Sequence, residues 1–181
     1  MKMNVKWLGA VLVLMALYGC GGGGGGGGDG GGAVDDSYVF PAGKATITFS
    51  AMSTATLPAP ISGIDVTLTL PTGMSVATTS GQIETASLTP GSALTGTNLA
   101  YGSYSNATGV TILSMVTTSD NYRQGEFLRL TCIVAANTGI TLGSLKSTSP
   151  VTVVKAVGYD AATSSTVVLT NKLKVTLGAI R

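Results

Sequence analysis

Reactive chemistry needs particular side chains, and this sequence supplies few of them. Its 181 residues hold two cysteines and no histidine. Without histidine there is no Ser-His-Asp or Cys-His catalysis and no His-ligated zinc; a Cys-x-x-Cys-His haem attachment is absent too. Paired-carboxylate chemistry needs two acids facing each other across a substrate, about 5–9.5 Å apart. Asp65, Glu84, Asp120, Glu126 and Asp160 are scattered along the chain, and each reads as a solvated surface acid. Asp65 falls on the polar side of an alternating segment. Asp120-Asn121 has a turn context, where both side chains can cap the backbone. Calcium could use Asp120 with neighbouring carbonyls, but no Asp-x-Asp loop supports it. No catalytic residue, no metal site and no cofactor is expected.

The two cysteines differ in context. Cys132 lies in the apolar run Glu126-Phe127-Leu128-Arg129-Leu130-Thr131-Cys132-Ile133-Val134 and reads as a buried, inert thiol. Cys20 follows a short basic start, Lys2 and Lys6, and an apolar stretch from Trp7 to Tyr18. That stretch is shorter than the roughly 20 residues a membrane-spanning helix needs, and it suits the h-region of an export signal. It closes on Leu17-Tyr18-Gly19-Cys20, which resembles the lipobox of bacterial lipoproteins. Leu17, Gly19 and Cys20 fit that pattern, and Tyr18 is bulkier than usual at its position.

The lipobox resemblance implies cleavage between Gly19 and Cys20, lipidation of Cys20, and attachment to a membrane through two or three palmitate-type chains. One chain holds only marginally, at about 0.8 kcal/mol per buried methylene, so several make release slow. In that class an Asp after the Cys favours the inner membrane. Gly21 stands there, so the implied location is the cell envelope, at the outer membrane of a host with two. The competing readings are an ordinary export signal, or a signal anchor, with a chance cysteine.

Gly21 to Gly28, Asp29 and Gly30 to Gly32 read as a tether. Glycine has no Cβ to pack, and about 12 such residues span ~20 Å r.m.s. as a random coil. A phosphate-binding loop would need a preceding strand, a following helix and usually Lys-Ser/Thr, which are missing. The organisation expected is therefore a signal at 1–19, a lipidated Cys and tether at 20–43, and one domain at 44–181.

Charge excludes a further class. Removing the signal removes Lys2 and Lys6, leaving eight Lys/Arg against eight Asp/Glu. The net excess of +2 belongs to the leader, and no basic stripe tracks phosphates, so no nucleic acid is expected.

The elements that must position any site read as strands. Thr, Ser, Val, Ala and Gly are abundant and charged residues few. Segments 45–49 and 63–70 alternate apolar and polar residues, and Pro71-Thr72-Gly73 ends the second. Further strands are expected at 74–78, 82–87, 99–104, 110–117, 126–135, 151–159 and 166–177. Segments 110–117 and 126–135 are apolar on both faces and should lie deepest. No helix is expected. About nine short strands at this spacing predict an all-β, two-sheet sandwich.

The order of these pieces resembles the cohesin domain and its carbohydrate-binding relatives. The matching pieces are Gly63 to Pro71, Met74-Ser75-Val76 with Gly81, Gly109-Val110-Thr111-Ile112-Leu113, Gly125-Glu126-Phe127-Leu128-Arg129-Leu130, and Lys172 to Leu177. The resemblance covers residues 44–178 and implies a nine-strand jelly roll. The Asp-Pro after the family's second strand stands here as Leu70-Pro71, and the polar residues that grip a dockerin have no counterpart. It therefore implies the fold more strongly than a dockerin-like partner.

Function is read from what remains. The first reading is a tethered, non-catalytic binding or scaffold module for a protein partner. The second is a polysaccharide-binding module, because aromatic faces stack on sugar rings; the candidates are Tyr38, Tyr101, Tyr104, Tyr122 and Tyr159. Tyr101 and Tyr104 have opposite strand parity and should not share a platform. The third is a purely structural envelope lipoprotein. The ligand-binding residues themselves stay open.

Overall fold

The structure, a computed structural model, describes residues 34–181. Gly19, Cys20 and the glycine run lie outside the described residues. In chain order the strands are β1 (Gly43–Ser53), β2 (Ile61–Thr69), β3 (Met74–Ser75), β4 (Thr78–Thr79), β5 (Gln82–Ile83), β6 (Leu88–Pro90), β7 (Asn98–Tyr104), β8 (Val110–Thr117) and β9 (Gly125–Val134). A short helix, α1 (Leu142–Thr148), precedes β10 (Thr152–Asp160), β11 (Ser165–Val168) and β12 (Leu173–Ile180).

Two antiparallel sheets pack as a sandwich. The first runs β12-β1-β9-β3, with β6 also on β9; the second runs β11-β10-β2-β8-β7-β5-β4. Period-two alternation builds both. In β2, Ile64, Val66 and Leu68 are buried and face the first sheet, while Asp65, Thr67 and Thr69 face out. In β12, Leu173, Val175, Leu177 and Ala179 do the same.

β1 and β9 carry the deepest layer. Their register shifts between Phe49 and Ser50: Leu128 lies opposite Phe49 and Glu126 opposite Ser50, so Phe127 is the extra residue of a bulge. The bulge turns both Phe127 and Leu128 inward, fully buried. Phe127 packs on Phe49 with ring centroids 6.3 Å apart and planes tilted by 54°.

Twelve strand segments stand among the described residues in place of about nine. The extra ones arise where the chain changes sheet. Segment 74–78 is divided: Met74 pairs with Val134 in the first sheet, and Thr78 with Ile83 in the second. Segment 82–87 leaves the second sheet after Ile83, turns through a 3₁₀ turn at Thr85–Ser87, and joins β9 as β6. Segment 166–177 is divided likewise by a 3₁₀ turn at Thr170–Lys172.

Two other expectations are corrected. Helix α1 stands where no helix was expected. Thr141 caps it: its hydroxyl accepts from the Ser144 N–H at 3.0 Å, and the Ser144 hydroxyl accepts from the Thr141 N–H at 2.9 Å. Leu142 and Leu145, one turn apart, are fully buried. The folded body also begins before residue 44. Phe40 lies in the core, Val39 bridges Thr141, and Asp36 pairs with Lys146 at 2.6 Å.

Segments 110–117 and 126–135 do become the inner strands β8 and β9. Their outward faces are not buried, however, because no third layer covers them. Ile112, Val116 and Ile133 remain about half exposed.

Cys132 sits in the core layer, fully buried, and burial pushes its thiol up to about 12. The protonated thiol is the form the fold favours. Its stabilisation is complete below about pH 9 and is lost as pH rises toward 12, because the unfolded chain ionises first.

Two outcomes follow for urea unfolding of the full chain. Phe127→Ala should cost about 3–5 kcal/mol by emptying the bulge pocket, and Ile133→Ala, on the outer face, about 1 kcal/mol or less. Equal losses would contradict the bulge as the centre of packing. The midpoint should fall between pH 9 and 10 in the wild type and stay flatter in Cys132→Ala. Identical slopes would show that the thiol is not what titrates.

Candidate functional site

The outward faces of the two sheets differ in kind. On the first sheet, Thr46, Thr48 and Ser50 of β1 stand beside Arg129 and Thr131 of β9, and Thr176 of β12. Met52, Ile133 and Ile180 are the apolar members of that face. Glu126 anchors its rim, accepting from Arg129 Nε at 2.6 Å and from the Ser92 N–H at 3.0 Å.

The second sheet presents an apolar row instead. Val168, Val157, Gly63, Val116 and Leu99 are successive register partners across β11, β10, β2, β8 and β7. Leu99, Val116 and Val168 are 47–69 % exposed. Gly63 does not break the row: a Cβ there would stand 3.3 Å from a Val157 methyl, so Val157 leans over the glycine. One residue pair along the strands, Lys155, Asp65, Ser114 and Tyr101 form the next row. Tyr101 is 50 % exposed, while Ser114 is buried beneath its larger neighbours.

The ends of the sandwich also differ. At one pole β1 begins, β9 ends and β12 ends, with Gly43 opposite Val134 and Thr46 opposite Ile180. Residues 34–40 and α1 gather there, and the Arg181 guanidinium lies 5.7 Å over the Tyr38 ring. At the opposite pole, three segments distant in sequence form a cleft of about 540 Å³. They are 58–62 leading into β2, 117–123 following β8, and 159–162 at the β10–β11 turn.

This cleft gathers residues that sequence reasoning had left apart. Asp120 and Asp160 both line it, with Arg123 and Tyr159. Tyr159 is half exposed. Arg123 donates through Nη1 to the Leu57 carbonyl at 2.8 Å, which leaves its other N–H groups for a ligand. Asp160 accepts from the Thr163 hydroxyl at 2.8 Å and the Ala162 N–H at 3.0 Å. Those bonds, the hydroxyl's first, hold its carboxyl below the usual range. It is therefore committed to shaping the turn behind Tyr159. Asp120 is exposed in a turn, as its context suggested.

The other candidates are dispersed. Tyr104 and Tyr122 are buried; burial pushes both phenols up, and Tyr122 donates to the Gly125 carbonyl at 3.0 Å. Tyr38 is half-buried against Phe40, in an edge contact with ring centroids 5.4 Å apart. Tyr101 and Tyr104 face opposite sides, as parity requires. Asp65 stands mid-sheet opposite Lys155, and Glu84 is exposed beside a 3₁₀ turn. Among the described residues, no three Cys, Asp or Glu side chains gather as metal ligands, and no helix is long and apolar enough to cross a membrane.

The apolar row has a trace in the sequence, the two-faced apolarity of 110–117, which marks depth and an exposed apolar face alike. The cleft had no local trace, since Pro58, Asp120 and Tyr159 meet only through the topology. In comparisons with known proteins the chain matches no family model, no curated protein and no solved structure.

Proposed function

We propose that this chain is a lipid-anchored, non-catalytic binding module of the bacterial cell envelope that holds a protein partner on the outer face of its seven-stranded sheet. The observation that carries the reading is the row Val168–Val157–Gly63–Val116–Leu99. An exposed contiguous apolar patch rimmed by polar groups marks an interaction site, and the polar face of the other sheet supplies the contrast.

The row runs across strands rather than along one, so it is rigid. Val157, Gly63 and Val116 are held by backbone pairing on both sides, and Val168 and Leu99, at the two ends of the row, on one. A partner that packs on it loses little more entropy than its own ordering requires. Asp65 and Lys155 beside the row offer one charge of each sign, which fixes orientation more than it adds affinity. The cohesin resemblance also supports a protein as occupant.

The anchor part of the proposal rests on Leu17-Tyr18-Gly19-Cys20. A lipid on Cys20 and the glycine-rich tether would lead to the pole where residues 34–40 pack. The cleft pole would then face away from the bilayer, and the apolar row would stand free at its side.

Fractionation tests the anchor. Wild-type protein should sediment with membranes and carry a diacylglyceryl thioether on Cys20 by mass spectrometry, and Cys20→Ser should move it to the soluble fraction. Membrane retention of Cys20→Ser would sink the anchor. Capture from envelope extracts tests the face. Purified protein should retain a saturable protein partner, and Val116→Lys should weaken retention by about tenfold or more. Undiminished capture by Val116→Lys would remove the row from the binding surface.

A further inference from the structure

We infer that the cleft at the pole opposite residues 34–40 is a saccharide site, taking a neutral pyranose that stacks on Tyr159 while adjacent hydroxyls bridge Asp120 and Arg123. The inference goes beyond protein docking on the sheet face. It uses different residues and a different class of ligand.

A sugar presents two kinds of surface. Its ring faces carry C–H groups, which pack on an aromatic ring; its rim carries hydroxyls, each both donor and acceptor. A site for it needs an exposed aromatic group beside at least one charged acceptor and one charged donor. The cleft combines them. Tyr159 is half exposed where β10 ends. Asp120, exposed in the turn after β8, supplies a carboxylate that only accepts. Arg123 supplies N–H donors from a guanidinium already steadied on the Leu57 carbonyl. Ser62 and Thr118 complete the wall, their hydroxyls donating to the Val157 and Thr97 carbonyls.

The walls are preformed. Pro58 and Pro60 fix the backbone of one side through their locked φ. On the other side the Asp160 carboxylate closes its own turn onto Thr163 and Ala162. A cleft of about 540 Å³ lies within the range of small-molecule sites, about 300–1,000 Å³. Charge selects within the sugar class. Two carboxylates and one guanidinium line the cleft, so its local charge is negative and a uronate or sulfated sugar is disfavoured.

The test uses the full chain in titration calorimetry against the hexasaccharides of β-1,4-glucose, β-1,4-xylose, β-1,4-mannose and β-1,4-N-acetylglucosamine, with hexagalacturonate as the anionic arm. Saturable binding of at least one neutral hexasaccharide is expected. Tyr159→Ala should weaken it by about tenfold or more, and Asp120→Asn by about fivefold. Tyr159→Trp should retain it, which separates loss of the stacking face from loss of the fold. Val116→Lys, which tests the protein-docking face, should leave saccharide binding within about twofold. The inference is overturned if no neutral hexasaccharide binds, if hexagalacturonate binds more tightly, or if binding survives both Tyr159→Ala and Asp120→Asn. Loss through Val116→Lys alone would move the ligand to the sheet face and overturn it equally.

Discussion

The apolar layer that β1 and β9 press against the second sheet is the constraint on which the other features depend. β1 is paired on both sides, with β12 along one edge and β9 along the other. Ile47, Phe49 and Ala51 from β1, with Phe127, Leu128, Leu130, Cys132 and Val134 from β9, meet Ile64, Val66, Leu113 and Met115 from the facing sheet. Full burial of each large side chain contributes about 1.5–3 kcal/mol. The bulge at Phe127 has two effects at once. It adds one aromatic ring to the interior, and it sets Glu126 on the rim, where Arg129 and the Ser92 N–H satisfy it. An unbroken ladder would place Phe127 and Leu128 on opposite faces.

A core sealed between two sheets leaves both outward faces free of packing duty, and they have diverged. The first is mostly hydroxyls and cations. The second carries valine, leucine and tyrosine where solvent would favour threonine. β-branched residues suit a pleated strand whether or not a partner covers them, so the fold tolerates the row. Contact with another molecule is the role proposed above for the row. The poles divide the same way: one is occupied by residues 34–40, α1 and Arg181, and the other is left to three loops with a cleft between them.

What the sequence made legible was local and periodic. The alternation in 63–70 is seen unchanged as β2, and the opposite parity of Tyr101 and Tyr104 holds in β7. The two-sheet, all-β class followed from strand composition and spacing. Four things were not legible, each for a physical reason. Segments 82–87 and 166–177 each read as one strand by composition, although neither alternates throughout: Val167-Val168-Leu169 and Thr170-Asn171-Lys172 interrupt the second, and the 3₁₀ turns that divide both bury little and leave no pattern of their own. Helix α1 is seven residues long, too short for a stripe, and its cap uses Ser144 where Glu or Gln is the familiar partner. Apolar residues on both faces of 110–117 cannot distinguish a strand covered twice from one covered once with an exposed apolar outer face. The cleft was invisible because Ser62, Asp120 and Tyr159 become neighbours only through the pairing of β2 with β8 and β10.

The titratable groups bear on what kind of site this molecule can offer. Where a group departs from its ordinary behaviour, a structural cause accounts for it. Cys132, Tyr122 and Tyr104 are raised by burial, and none of them lines the cleft beside Asp120. Asp35 and Asp160 are lowered by hydroxyls and N–H groups of their own turns, where they hold backbone geometry. The groups poised toward solvent in the cleft and on the row are an aromatic ring, an acceptor, a donor and methyl groups. Such a set suits the contact roles proposed above for the row and the cleft. Because the row and the cleft adjoin at Val157 and Tyr159, two residues apart on one face of β10, an occupant of one would be felt at the edge of the other.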